Sequence, residues 1–461
     1  MKFDLLRKES IGRYLNTDKK FVKTLGAKDL LALGIGAVIG TGIFILPGTV
    51  AATTAGPGVI LSFLVAALVC GLCSMCYAEL SSSIPVAGSA YSYGNLLFGE
   101  IIGWILGWAL ILEYMLSVAA VSSGWAAYFN ALLNSMDVSL PHALTNSYNP
   151  GQGTYFNLMA AVSVLLIALM LSRGLKESMR VNNIAVIIKM IIIFVFVGVG
   201  LFFIKPSNYK PFLPFGTSGI FHGATTVFFA FLGFDCVSAS AAEVKNPKRN
   251  MPIGIIGTLI IAAILYMGVS VVLTGMVHFD KLDVANPVAF ALRQVNQGWV
   301  ADLLSLGALV GMSTMMISMT YSSSRLVYSI GRDGLLPPVI GKINKKGLPG
   351  NALWLVTLII VLMGGFFSLD ELTHLVSIGT LLAFTFVSFG VLLLRKRPDL
   401  PEPSFKVPFY PFLPIISGLA CIGMMCFLPL NTFIFAGIWF GIGLIIYFTY
   451  GYRHSKINTK K

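Results

Sequence analysis

An apolar stretch that begins near Leu30 carries three glycines within seven residues, Gly36-Ala37-Val38-Ile39-Gly40-Thr41-Gly42. Glycine weakens a helix, and this density predicts a break at Gly40-Thr41-Gly42. A helix that stops and restarts leaves backbone groups unpaired at both new ends. The amides at Thr41 and Gly42 would open the second half-helix. With the partial positive charge of a helix N-terminus, they suit a carboxylate. The carbonyls near Val38 and Ile39 would end the first half and suit an ammonium. One break thus offers partners for both charged ends of an amino acid. The competing explanation is that these glycines only let two helices pack closely, and the break alone does not separate the two. A dinucleotide fingerprint does not fit, because the third glycine is misplaced and no strand–helix–strand setting surrounds it.

A second interruption, Gly233-Phe234-Asp235-Cys236-Val237-Ser238, follows Phe229-Ala230-Phe231-Leu232 in a later apolar run. Its carbonyls could complete the ammonium site and Phe234 could cover a ligand; an ordinary aromatic-rich helix face is the other reading. Two ionisable residues lie deep in apolar runs, Lys189 within Ile187-Ile188-Lys189-Met190-Ile191 and Glu113 within Ile111-Leu112-Glu113-Tyr114. A charge at the centre of a membrane span costs about 2.5–3.5 kcal/mol on insertion scales, so such residues face a cavity or a partner. Taking an ammonium out of water disfavours its charged form, which suits Lys189 to carrying a proton. The alternatives are a lysine that snorkels to the membrane edge and a glutamate that makes a structural hydrogen bond. Glu79 and Glu243 end their runs and are read as fixing loops; Asp235 is read as a brace for the second break.

The elements that hold these residues are apolar almost throughout. Of 461 residues, 56% are hydrophobic and only 11% charged, and the mean hydropathy is +0.83. Soluble domains carry roughly 25% charged residues, so this chain lacks a polar shell. A spanning helix needs about 20 mostly apolar residues. Twelve runs qualify, at residues 29–52, 58–82, 98–133, 155–172, 181–204, 218–243, 252–277, 299–328, 350–367, 371–394, 409–428 and 431–451. Only Phe427-Leu428-Pro429-Leu430-Asn431 separates the last two, so eleven spans remain open. With the N-terminus inside, the inner segments hold all but five of the 32 Lys and Arg residues. Lys205, Lys210, Lys281 and Arg293 fall outside, and Lys189 lies within a span. That asymmetry places both tails, 1–28 and 452–461, in the cytoplasm of a plasma-membrane protein.

The net charge of +13 is dispersed in these loop clusters, which argues against a nucleic-acid surface. Cys70, Cys73 and Cys76 have metal-like spacing, but no His or acidic group completes a site, and small soft side chains suit helix contacts. The five histidines form no metal or nucleophile constellation, so no metal, other cofactor or enzymatic activity is expected. Two interrupted spans five helices apart fit an inverted five-plus-five repeat, with 29–204 and 218–394 as its halves and 409–451 as an addition.

Several stretches then carry a resemblance. They are Gly34-Ile35-Gly36-Ala37-Val38-Ile39-Gly40-Thr41-Gly42-Ile43-Phe44, Tyr77-Ala78-Glu79-Leu80 through Ile84-Pro85-Val86-Ala87-Gly88-Ser89-Ala90-Tyr91, and Gly233-Phe234-Asp235 with Glu243-Val244-Lys245-Asn246-Pro247. Gly331-Arg332-Asp333-Gly334-Leu335-Leu336-Pro337, Ser377-Ile378-Gly379-Thr380-Leu381-Leu382-Ala383-Phe384 and Arg397-Pro398-Asp399-Leu400-Pro401 complete the set. Together they make the chain resemble the bacterial cationic-amino-acid-transporter-like branch of the amino acid–polyamine–organocation superfamily. The resemblance implies an all-α LeuT-type fold. It implies a substrate carboxylate at the amides of Thr41 and Gly42, and a substrate ammonium at the carbonyls of Val38, Phe229, Ala230 and Leu232. Lys189 would stand where sodium-coupled relatives bind sodium, and its deprotonation would couple transport to protons. Glu113 and Met319 would line the side-chain end of the pocket. The family often has paired Glu before Val-Lys-Asn-Pro; here Ala242 precedes Glu243, so position 242 takes no such role.

The expectation is therefore a secondary transporter that imports L-amino acids, neutral or cationic, with protons as the coupling ion and the lipid bilayer as its solvent. An exchanger without proton coupling is the alternative. A membrane sensor or enzyme would need a signalling domain or a polar catalytic cluster, and the sequence supplies neither.

Overall fold

A computed structural model describes residues 6–12, 23, 25–86, 88–173, 175–344, 348–397 and 403–457. Among these residues the chain is helical, and its only β pairing is two isolated bridges. Each of the twelve predicted runs is helical. The first is split into α1 (Ala27–Val38), α2 (Thr41–Phe44) and α3 (Leu46–Val50). Then come α4 (Val59–Ser83), α5 (Ser89–Leu97), α6 (Glu100–Ser135), α7 (Leu158–Arg173) and α8 (Leu175–Leu201). The sixth run is split into α9 (Gly216–Phe228) and α10 (Phe234–Ala239). The rest are α11 (Pro247–Met276), α12 (Pro287–Gln294), α13 (Gly298–Arg332), α14 (Gly350–Phe366), α15 (Leu369–Leu394), α16 (Phe412–Met425) and α17 (Leu430–Ile446). Eight continuous helical stretches are long and apolar enough to cross a membrane, and α7, α14 and α16 are shorter apolar helices. The turn between α16 and α17 does separate two helices. The protein is a multi-pass membrane protein.

Apart from one-turn segments such as Tyr452–His454, two helices fall outside the twelve runs among the described residues. Both α5 and α12 are short and lie in connecting segments. The second had a readable start, since Pro287 directly follows its cap residue Asn286, and proline is favoured at the first helical position.

The broken α1–α3 is enclosed by α6, α8, α11 and α13. Both tails reach one face, called here the tail face. There Glu100, at the start of α6, accepts from Arg7 and from the Ser455 hydroxyl, and Tyr447 donates to it at 2.9 Å. The backbone amide of Lys456 donates to the carbonyl of Asp333, which puts the end of α13 on the same face. Glu79, fully buried at the end of α4, accepts two bonds of 2.8 Å from Arg395 and one from the amide of Val407. It fixes the segment after α15, as its position at the end of a run suggested.

The two breaks touch through glycines. A Cβ on Gly42 would lie 2.5 Å from Ala230 Cβ and 2.7 Å from its Cα, so the second break would have to move. A Cβ on Gly40 would meet the flexible end of Met315 instead. Gly42→Ala is therefore expected to cost more than Gly40→Ala. The overpacking penalty at Gly42 is about 1–3 kcal/mol. Thermal unfolding of the two purified variants, compared with wild type, measures the difference; equal midpoints would contradict the rigid contact.

Candidate functional site

The first break begins where α1 ends at Val38. Ile39 is extended and Gly40 lies outside helical geometry before α2 opens at Thr41. Thr41 and Gly42 are the first two residues of α2, so their amides have no i−4 carbonyl within it. The Thr41 hydroxyl is buried without a hydrogen-bond partner among the described residues. The second break occupies residues 229–233: a single 3-10 turn, an extended Leu232, then Gly233 at φ +112°. Helical structure resumes at Phe234, so the interruption lies before the Phe234–Ser238 stretch that the sequence reading included, with Gly233 as its last residue. A side chain at Gly233 would be strained by this φ and would meet Ala37 backbone at 2.9 Å. Ala37–Gly233 and Gly42–Ala230 thus hold the two breaks against each other.

Lys189 is fully buried and does not snorkel. Its Nζ points into the end of α1 and donates to the carbonyls of Ile35 (2.8 Å), Ile39 (3.0 Å) and Gly36 (3.3 Å) and to Thr314 Oγ1 on α13 (2.8 Å). A cation at a helix C-terminus is favoured by the free carbonyls and the dipole. This lysine bonds to the same backbone that the break exposes. The carbonyl of Ile39, read as an acceptor for a ligand ammonium, here accepts from the Lys189 side chain.

The other acceptors differ. The Tyr266 hydroxyl, on α11, lies 2.9 Å from Val38 O and 2.6 Å from Ala230 O, one carbonyl from each break. The carbonyl of Phe229 accepts from the amide of Leu232 (3.2 Å), while that of Leu232 has no donor among the described residues. Phe234 packs its ring edge-on to Tyr77 at 5.7 Å and tilted against Phe384 at 5.0 Å.

Glu113, Met319 and Asp235 gather at the first turn of α10. Asp235 accepts from the Tyr114 hydroxyl at 2.5 Å through Oδ2, and its Oδ1 has no partner among the described residues. Glu113 is an electrostatic neighbour of Asp235, fully buried, with neither oxygen hydrogen-bonded among the described residues. The Thr380 hydroxyl is near it but donates to the Val376 carbonyl at 3.0 Å. Met319 Sδ lies 3.3 Å from Cys236 Sγ. Buried polar atoms are nearly always paired, so these carboxyl oxygens call for a partner such as water or a ligand group. A polar end with two carboxyl groups thus adjoins a backbone clamp. No cluster of three or more metal-ligating side chains exists among the described residues.

Sequence reasoning missed Tyr266, Thr314 and Tyr114. The signal for Tyr266 was available. It is a phenol within Ile264-Leu265-Tyr266-Met267, and a buried tyrosine hydroxyl needs a partner.

The family model described as amino acid permease matches residues 25–451. The chain is 47% identical over 441 residues to a methylthioribose transporter of Bacillus subtilis (strain 168), covering 95% of this chain and 96% of that one. It is 45% identical to the branched-chain amino acid permease BcaP of the same organism, covering 99% and 100%. It is 38% identical to the vacuolar cationic amino acid transporter 2 of Arabidopsis thaliana, covering 83% of this chain and 61% of the relative. All of these are transporters, and none is an enzyme. A family match across nearly the whole chain, together with relatives of this identity and coverage, places the chain in the amino acid permease family.

Proposed function

We propose that this permease is a proton-coupled importer of L-amino acids that works by alternating access around its two breaks. The observation that carries the reading is the contact of the two interrupted helices, with the buried Lys189 ammonium set on carbonyls of the first. The free amides at Thr41 and Gly42 receive the substrate carboxylate. The substrate ammonium takes over the carbonyls of Val38, Ala230 and Leu232, displacing the Tyr266 hydroxyl from the first two. Residues 29–204 and 218–394 act as the inverted repeats of a LeuT-type core, and 409–451 add two helices. The Lys and Arg distribution supports a cytoplasmic tail face in the cell membrane.

The BcaP relative supports a branched-chain amino acid as substrate. A second reading has its own support. Methylthioribose, the substrate in the name of the 47% relative, has hydroxyl groups but no ammonium or carboxylate. The unpaired oxygens of Glu113 and Asp235 are acceptors for such hydroxyls. Uptake of radiolabelled leucine, arginine and methylthioribose into proteoliposomes decides among them. The expected result is leucine accumulation when the outside is acidic, and little without a gradient. Methylthioribose uptake without amino acid uptake would overturn the backbone-clamp reading. Uptake that needs internal amino acid and ignores the pH gradient would establish exchange in place of proton coupling.

A further inference from the structure

The short helix α2 has a loose end as well as a break before it. Pro47 has no amide to offer the Ile43 carbonyl. The Gly48 amide, which would reach Phe44 in a continuous helix, bonds to the Ile45 carbonyl at 3.1 Å. The Phe44 carbonyl instead accepts from the Tyr128 hydroxyl of α6 at 3.0 Å. Tyr128 is fully buried, and its ring meets that of Phe44 edge-on with 6.3 Å between centroids. One turn earlier on the same face of α6, Gly124 meets the other end of α2: a Cβ there would lie 2.3 Å from Thr41 Cγ2. Gly124 and Tyr128 thus form one seat for α2, all four residues of which are buried. On another side Phe44 meets α13, where a Cβ on Gly311 would lie 3.2 Å from the Phe44 ring and 3.3 Å from Lys189 Cβ.

This seat lies on the far side of the site from the tail face. α6 starts at the tail face with Glu100, passes Glu113, and reaches Tyr128 about 42 Å along its axis. α2 is joined to α1 through the unwound Ile39 and Gly40. It is joined to α3 through Ile45, whose φ of −121° and ψ of −53° depart from helical values. A four-residue unit between two such joints can turn as a body while the helices on either side stay intact. What it docks on therefore decides where it rests, and its docking partner on α6 is one hydroxyl.

We propose that Tyr128 is a positioning residue, whose hydroxyl docks α2 on α6 as the protein closes over substrate on the side opposite the tail face. With α2 undocked, the Phe44 carbonyl is hydrated. Docking exchanges that water for the Tyr128 hydroxyl and brings the amides of Thr41 and Gly42 to the substrate. Tyr128 acts through the backbone of α2 and does not read the substrate side chain, so its contribution is the same for every amino acid carried. The inference rests on the backbone-clamp reading argued above.

Tyr128→Phe keeps the ring and removes the hydroxyl. In proteoliposomes at a fixed pH gradient, the KM of each amino acid transported, with leucine and arginine as probes, should rise by the same factor. That factor is about tenfold, the scale of one buried hydrogen bond left unmade, with kcat per folded protein within about twofold of wild type. A residue that only supports the fold would lower the amount of active protein and leave KM alone. Gly124→Ala, which pushes Thr41 off the seat, should raise KM in the same way. Adding Thr41→Ser, which removes the methyl group that the new Cβ strikes, should restore it. The docking role is overturned if Tyr128→Phe leaves KM unchanged or shifts leucine and arginine by different factors, or if the double variant stays as weak as Gly124→Ala. A wild-type protein that takes up methylthioribose and neither amino acid removes the clamp reading first and the docking role with it. Wild-type amino acid uptake with an unmoved KM in Tyr128→Phe removes the docking role alone. Should Tyr128→Phe fail to fold, Gly124→Ala and its rescue carry the test.

Discussion

Proteoliposomes carrying Lys189→Met should bring their substrate only to equilibrium, whatever the pH gradient. With one proton per substrate, each pH unit supplies about 1.4 kcal/mol, enough for roughly tenfold accumulation by wild type. The variant loses that drive entirely, so the expected ratio falls from about tenfold to about onefold per pH unit. The cause lies in the four acceptors around Nζ, the carbonyls of Ile35, Gly36 and Ile39 and the Thr314 hydroxyl. An ammonium there holds the end of α1; a neutral amine gives up at least one of those bonds. Protonation therefore biases the position of the break, which a thioether cannot do. Lys189→Arg provides the control. A guanidinium stays charged, so it keeps a cation on the carbonyls but cannot release a proton. It should retain counterflow at equal pH and lose net accumulation. Lys189→Met should also unfold at lower temperature, because buried carbonyls left without donors cost about 1–3 kcal/mol each. A Lys189→Met protein that accumulates substrate as wild type does would end the coupling argument.

The candidate site was legible in the sequence wherever a residue conflicts with its surroundings. Glycines inside an apolar run marked the first break, a lysine and a glutamate among isoleucines and leucines marked two buried charges, and the ends of the long runs gave the helices. In each case the cost of placing that residue in a span is local and large. Tertiary approach was not legible. Nothing near Val38 or Ala230 says that a tyrosine of α11 will reach both carbonyls, or that Lys189 will occupy the carbonyl of Ile39, because those contacts join residues 36 to 228 positions apart. The second break shows the same limit. Its glycine was visible, but Gly233 ends the interruption, since its positive φ serves to restart α10.

Glu113→Gln should separate cationic from apolar substrates. Glu113 is fully buried with two unpaired oxygens, and Asp235 adds a third beside it. Packing alone does not explain why two acids lie together at the first turn of α10, whereas a ligand side chain that brings hydrogen-bond donors or a positive charge does. Arginine brings both, and a guanidinium pairs with a carboxylate through two parallel bonds. Removing one partner of a buried ion pair costs about 3–5 kcal/mol, which is more than a hundredfold in affinity. In competition against radiolabelled leucine, arginine should therefore weaken by about a hundredfold in Glu113→Gln. Leucine itself should change by less than about threefold, because an apolar side chain has no group to pair with an acid and would pack on sulfurs such as those of Met319 and Cys236, which lie 3.3 Å apart. Methylthioribose should fall between the two, since its hydroxyls can donate to a glutamine oxygen as well as to a carboxylate. A parallel loss for leucine and arginine would mean that Glu113 supports the first turn of α10 through Asp235 and Tyr114 and does not read the substrate. A wild-type protein that arginine does not inhibit at all would assign the two acids to hydroxyl recognition.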